Sequence, residues 1–228
     1  MTPEHLTFSV IIPTSGRATL SRTLRSVQRQ RADDIEVIVI SDGEQPAAEA
    51  IVREQASHWP ELKYISGPVS GRWGHAQREE AIKHAKGAYL LFMDDDDVYH
   101  RDAFRQIRHA IRRHPDRVII FRMKRFDRVL WQRPQIEEGQ VSTVQFVVPN
   151  LPDKVGSWVT NERYASDFDF ISETVELQGA PVWDTKVIVT VEPLDLTDPA
   201  PWLRLRRDHW RVKLALRTRL RRVLRRVR

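Results

Sequence analysis

Apolar residues recur along this chain in two alternating patterns. Phe8-Ser9-Val10-Ile11-Ile12, Ile35 to Ile40, and Ala88-Tyr89-Leu90-Leu91-Phe92-Met93 are short runs with little polar interruption. Bounded by Pro13, by Ser41-Asp42-Gly43 and by Gly87, such runs predict strands buried on both faces. Between them the spacing changes. Leu20, Leu24 and Val27 predict a helix, a second is expected from about Ala47 to His58, and a third from about His75 to Lys86. Leu62 to Ile65 is a short strand, and Phe104, Ile107 and Ile111 mark a fourth helix with Asp102 as N-cap and Pro115 beyond its end. Strand and helix alternate, which predicts an α/β fold: a mostly parallel, Rossmann-like sheet with helices on both faces.

Past Arg117 the alternation stops. Val118 to Phe121, Val129 to Trp131 and Val141 to Val148 read as strands without long helices between them, so a smaller antiparallel portion is expected. Asn150 to Gly156 is a turn or mobile loop. Phe170, Ile171, Thr174 and Val175 follow Ser166-Asp167-Phe168-Asp169 at helical spacing, and Val187 to Val191 is a late strand. Glu192 to Pro201 holds three prolines and reads as a linker. The expected organisation is one domain over residues 1–193, divided at about 115 into a ligand-binding half and an acceptor half (116–193), followed by a linker and tail over 194–228.

In the tail, Leu205, Val212, Leu216, Leu220, Val223 and Val227 share one side and arginines fill most of the rest, giving a basic amphipathic helix. Charge follows the same division. Of the formal +6, residues 204–228 hold 12 Lys or Arg and one Asp, net +11, which leaves 25 basic against 30 acidic side chains, net −5. Basic character therefore belongs to the tail, and the body gives no reason to expect specific nucleic-acid binding. Three readings of the tail compete: docking on an anionic membrane, packing on the body or a partner helix, and nonspecific nucleic-acid binding. The apolar stripe favours the membrane, because nucleic acid requires no insertion face.

The chain has 228 residues, 41% of them hydrophobic, which suffices for a substantial core. With no cysteine, disulfides and thiolate metal sites are excluded. Met1 to Phe8 lacks the features of a secretory signal, and no run approaches the roughly 18 apolar residues of a membrane span. A cytoplasmic protein, peripheral on the inner face of the cell membrane, is expected.

The candidate chemistry lies where the Ala88 strand ends in Asp94-Asp95-Asp96-Asp97. Acids at the carboxyl end of a strand in an open α/β sheet stand where ligands bind, and alternation along a continuing strand would put Asp94 and Asp96 on one face. Carboxylates there suit a hard divalent cation such as Mn²⁺ or Mg²⁺, which completes its shell with water and phosphate oxygens; a solvated acidic loop is the alternative. Ser66 to Gly74, with three glycines and a proline, is a loop on the same rim.

Taken in order, Val10-Ile11-Ile12-Pro13-Thr14, Val39-Ile40-Ser41-Asp42-Gly43, Arg78 and Gly87 to Asp97 resemble family 2 glycosyltransferases of the GT-A fold. The resemblance covers residues 7 to about 115 well and 115 to 193 more weakly. It implies a metal-dependent, inverting transfer of a sugar from a nucleotide-sugar, with UDP- or dTDP-sugars first, to a hydroxyl on a glycan, lipid-linked or other acceptor. By position, Pro13 and Thr14 would flank the nucleoside and Asp42 would accept a hydrogen bond from base or ribose. Asp94 to Asp96 matches the DXD element, with Asp96 the metal ligand and Asp95 near the ribose or sugar. Arg78 matches a family arginine commonly followed by asparagine, where Glu79 stands here. The family also often has two acids at the Ser41-Asp42 position. Arg72, Trp73 and His75 are candidates for the diphosphate or sugar, or chance polarity in a surface loop; Arg17 pairs with acids or phosphates, or is exposed.

Transfer by one displacement needs a base for the acceptor proton. If Ser166 is an N-cap, Asp169 falls at N3, where a carboxylate returns a capping-box bond, and Asp167 is left for the base. The resemblance puts the base at the same place, with Asp169 and Glu173 in reserve and a simple helix-dipole role for Asp167 as the alternative. Trp158 and Trp183 suit either an acceptor platform or the core. The alternatives are a nucleotidyltransferase, for which Pro13-Thr14-Ser15-Gly16-Arg17 is a poor phosphate loop, and a non-catalytic sugar-nucleotide-binding or membrane-adaptor protein.

Overall fold

The computed structural model describes residues 7–30, 33–71, 73–125, 128–160 and 165–191; Arg72 and the predicted linker and tail lie outside them. In chain order the elements are β1 (Phe8–Thr14), α1 (Leu20–Gln28), β2 (Ile35–Asp42), α2 (Pro46–Ala56), β3 (Leu62–Gly67), α3 (His75–Ile82), β4 (Tyr89–Phe92), β5 (Asp97–Tyr99), α4 (Ala103–Arg113), β6 (Ile119–Arg125), β7 (Arg128–Leu130), β8 (Phe146–Pro149), α5 (Ser166–Gln178) and β9 (Val182–Val191).

One sheet runs β3-β2-β1-β4-β8-β6-β9-β5, with β7 on β6. The β3-β2-β1-β4 part is parallel. The expected antiparallel portion enters through β8, which pairs antiparallel with both β4 and β6, although β9 lies parallel to β6. The apolar runs are explained by two cores. Val10, Ile12, Val37, Val39 and Leu91 pack with α1, α2 and α4. Ile11, Ile38, Ile40, Leu90 and Phe92 pack with Ala81 of α3, Phe170 and Ile171 of α5, and Trp158. Both sides of the strands are buried, so no polar alternation could develop.

Four local expectations are corrected. First, β1 continues through Pro13 to Thr14; β4 pairs with it only as far as Ile11, so the proline falls where β1 has a single neighbour, β2. Second, the strand expected over Val141 to Val148 starts at Phe146. Thr143–Gln145 is a 3₁₀ turn closed by reciprocal bonds between Ser142 and Gln145, and the buried Gln145 amide donates to Phe121 O and Leu130 O. Third, the acids are not on one continuing strand: β4 ends at Phe92, a turn closed by Asp97 N to Asp94 O (3.2 Å) intervenes, and β5 begins at Asp97. Fourth, the N-cap of α5 is Ala165, not Ser166, and Asp169 N bonds Ala165 O, so the Ser166–Asp169 capping box is absent.

Candidate active site

The carboxyl ends of β1, β2, β3 and β4 form one rim. At β4 the turn sorts the four acids by direction. Asp95 turns inward: its Oδ2 accepts from Thr14 Oγ1 at 2.6 Å and its Oδ1 lies 3.2 Å from Arg17 Nη1. Burial pushes the Asp95 pKa up and nearby Asp94 adds to this, while Arg17, Thr14 and the Ser15 amide oppose it. Asp94, Asp96 and Asp97 each offer one oxygen within 4.8 Å of the others, a spacing that fits a small divalent ion with hard oxygen ligands. Asp96 Oδ2 accepts from Arg17 Nη1 at 2.6 Å, and Asp97 is buried at the head of β5. Thr23 of α1 bonds the Asp97 carbonyl at 2.9 Å, and Arg22 bonds the Asp96 carbonyl at 3.1 Å, so α1 fixes the turn.

Arg78 is buried on α3, donates through Nη2 to Asp94 Oδ1, and holds the Trp73 carbonyl at 2.9 Å through Nη1. Its guanidinium lies 5.0 Å from the Trp158 ring centroid. Trp158 stacks on Phe170 at 4.2 Å and 13°, and His75, also buried, stacks on its ring at 6.4 Å. Gly74 makes this approach possible: its φ is +78°, and a Cβ there would meet Pro13 Cβ at 2.7 Å.

At the end of β2, Ser41 is buried and its hydroxyl, braced by Tyr64 at 2.9 Å, donates to Gly43 O at 2.6 Å. Ser41 thus shapes the turn and leaves Asp42 to face the rim. Asp42 Oδ1 accepts from Ser70 N at 2.6 Å and Gln77 Nε2 at 3.2 Å, and Oδ2 from Gly71 N at 2.9 Å.

Asp167 is half-buried in the first turn of α5. Burial raises its pKa to about 6; the Phe168 amide, Arg78 and Ser142 pull it down, and Asp94 pushes it up. Influence from both Arg78 and Asp94 places the carboxyl in their field. Of the reserves, Glu173 accepts from Ser157 N at 2.9 Å and so holds the preceding loop. Pro13, Thr14, Arg17, Asp42, His75, Arg78 and Asp94 to Asp97 all gather on this rim, and Arg72 lies outside the described residues. Trp183 packs on Trp131 at 4.8 Å instead, a core contact away from the acids. A separate cationic cleft of about 660 Å³, lined by Arg105, Arg112, Arg113 and Trp183 among others, contains none of the rim residues.

Two further contributors had no contact assigned from sequence. Glu79 Oε2 accepts from Trp158 N at 2.8 Å, so the residue standing where an asparagine is usual ties α3 to the Trp158 loop. Gln77, fully buried, joins Asp42 to the loop after β3. Gln77 lies four residues before the apolar Ala81, on the face that α3 buries, and that spacing was the available signal.

A family model described as glycosyl transferase family 2 matches residues 9–167. An uncharacterized glycosyltransferase of Haemophilus influenzae is 24% identical over 186 residues, 74% of this chain and 62% of that protein. Among solved structures, S. aureus TarS 1-349 in complex with UDP-GlcNAc superposes with a TM-score of 0.66 at 18% identity, covering 83% of this chain and 59% of that one. The mannosyltransferase PcManGT from Pyrobaculum calidifontis, in complex with GDP-Man and Mn²⁺, gives 0.60 at 17% identity over 90% and 62%. These likenesses show the GT-A fold. The chain spans less than two thirds of the length of each of the three proteins.

Proposed function

The chain belongs to glycosyltransferase family 2, and from that membership we propose that it transfers a sugar, with inversion, from a nucleoside diphosphate to an acceptor hydroxyl. The observation that carries this is the convergence on one rim of a three-carboxylate cluster, a buried arginine bonded to one of its acids, and a facing carboxyl with raised pKa.

In one displacement the acceptor oxygen bonds the anomeric carbon as the bond to the diphosphate oxygen breaks. The acceptor proton passes to Asp167, and the bonding pair leaves with the diphosphate. A base with a pKa near 6 is ionised at neutral pH yet basic enough to accept a proton in the transition state. Asp94, Asp96 and Asp97 would hold Mn²⁺ or Mg²⁺. Such an ion, when bound, neutralises charge developing on the leaving diphosphate. Arg78 adds fixed positive charge beside Asp94, Pro13 and Asp42 flank the nucleoside, and Thr14 and Arg17 hold Asp95 behind the reacting groups.

UDP- and dTDP-sugars are the favoured donors, and the acceptor is a glycan, lipid-linked or other hydroxyl compound. UDP-GlcNAc on a neighbour of the same fold supports the former. Among the described residues no helix is long and apolar enough to cross a membrane; attachment to an anionic membrane is assigned to residues 204–228. Residues 1–193 form the transferase domain in this reading, supported by a compact unit ending at Glu192.

The test is a thermal-shift screen of UDP-, dTDP-, GDP- and CMP-sugars with and without Mn²⁺, followed by release of nucleotide. Stabilisation by one donor that needs Mn²⁺ and is lost in Asp96→Ala is expected. Stabilisation without any nucleotide release over a panel of acceptors would instead identify a non-catalytic binder.

A further inference from the structure

We propose that Gln77 is a positioning residue for the nucleoside end of the donor, acting through Asp42; this rests on the nucleotide-sugar reading above. Gln77 is completely buried, and both its amide nitrogen and its amide oxygen are engaged. Nε2 donates to Asp42 Oδ1 at 3.2 Å and to Pro68 O at 2.7 Å, while Oε1 accepts from Ser70 Oγ at 3.2 Å. One side chain on α3 therefore joins the end of β2 to the loop that follows β3.

The acceptor capacity of Asp42 makes this arrangement informative. A carboxylate offers about four lone-pair sites. Two on Oδ1 are taken by Ser70 N and Gln77 Nε2, and one on Oδ2 is taken by Gly71 N. One site on Oδ2 is left for a donor group of the nucleoside, and its direction is set by the three bonds already made. The loop that supplies two of those bonds leaves β3 at Gly67, where a Cβ would meet Ser41 O at 2.6 Å, but its Val69 is 85% exposed, so the loop's own packing does little to hold it. Gln77 bonds both the carboxylate and two points of the loop, so without it neither the carboxylate rotamer nor the loop is held from the α3 side. The neighbouring Arg78 engages Asp94, so consecutive residues of α3 serve the two ends of one donor.

The experiment compares the full-length protein with Gln77→Leu, which cannot bond, and Gln77→Glu, which keeps the shape but sets an oxygen against Asp42 and Pro68 O. UDP and CDP are titrated calorimetrically, and donor KM and kcat are measured. Loss of one bond to a charged group predicts about a tenfold weaker UDP affinity and a similar rise in KM, with kcat changing far less. If UDP weakens and CDP does not, Asp42 serves the imide N–H that cytosine lacks; if both weaken equally, it serves the ribose; either supports the role. Should Gln77→Leu fold poorly, Gln77→Glu carries the test. UDP affinity within twofold of wild type in a folded variant, or a fall in kcat at constant KM for every donor, overturns it and leaves Gln77 a packing residue. A wild-type protein that binds no nucleoside diphosphate would instead remove the functional reading on which it stands.

Discussion

Arg17 Nη1 lies 2.6 Å from Asp96 Oδ2, so a guanidinium engages one of the three carboxylates that together suit a divalent ion. The same nitrogen is 3.2 Å from Asp95 Oδ1. In the proposed reading an ion that takes Asp96 has to displace this nitrogen, so arginine and metal would compete for the same oxygen.

Arg17→Gln should therefore bind Mn²⁺ more tightly, about fivefold, the effect of ~1 kcal/mol expected of a partly exposed ion pair. In the absence of metal the variant should melt lower, because Asp95 and Asp96 lose the ion pair with Arg17. Mn²⁺ titration followed by melting temperature reads both, and an unchanged or weaker Mn²⁺ affinity would mean that Arg17 does not compete.

The raised pKa of Asp167 fixes the sign of a pH profile. As the proposed base the group works deprotonated, so kcat/KM should rise as pH increases through about 6 and level off above it. Asp167→Asn should lose roughly 10²–10⁴-fold in turnover, with no limb near that pH, while binding donor normally. Asp169→Asn serves as the comparison; if that variant loses the activity and Asp167→Asn keeps it, the roles are reversed.

Legibility in the sequence followed the physics of each element. β1, β2 and β4 could be read directly because burial on both faces leaves uninterrupted apolar runs, and α1 and α4 because one face alone is apolar. The acids stood out as charge at the end of such a run. What failed was direction. No local pattern distinguishes four acids on a strand from four acids in a turn, and the inward turn of Asp95 depends on Thr14, 81 residues away. Asp102 does stand at the N-cap of α4, yet its carboxylate accepts from the Arg105 and Gln106 side chains rather than a backbone N–H. Gln77 passed as an ordinary helical polar residue, and Glu79 stood out only as a departure from asparagine with no contact assigned, because their partners, Asp42 and Trp158, arrive from distant segments.

A second buried acid gives a stability prediction away from the rim. Glu36 on β2 is fully buried and accepts from Ser9 Oγ at 2.7 Å, Lys63 Nζ at 2.8 Å and Lys86 N at 2.5 Å. Burial alone would push its pKa up, but Lys63, Ser9 and Lys86 together outweigh that and hold it below the usual glutamate value. The native carboxyl is thus the stronger acid. Its contribution is complete above the unfolded pKa of 4.5 and is lost as pH falls through the lower folded value. Glu36→Gln should cost about 2 kcal/mol at pH 7 and progressively less as the pH falls below 4.5. Equal denaturant midpoints for the two proteins at pH 7 would refute this.

Trp158 allows a separation of packing from recognition. The ring is buried among Phe92, Phe170 and His75, while its indole Nε1, like Arg78 Nε, is a buried donor with no partner among the described residues. An unpaired buried donor costs about 1–3 kcal/mol, a cost that a donor oxygen reaching either N–H would relieve. Trp158→Phe keeps an aromatic ring against Phe170 and removes only the N–H and part of the ring area. Its melting temperature should stay within a few degrees of wild type, while donor KM rises about tenfold, the effect of one lost hydrogen bond to a charged oxygen. Trp158→Ala, by contrast, should lose about 3–5 kcal/mol through the cavity alone. If Trp158→Phe keeps the wild-type KM and melts no lower, the indole N–H is idle and the tryptophan serves the core alone.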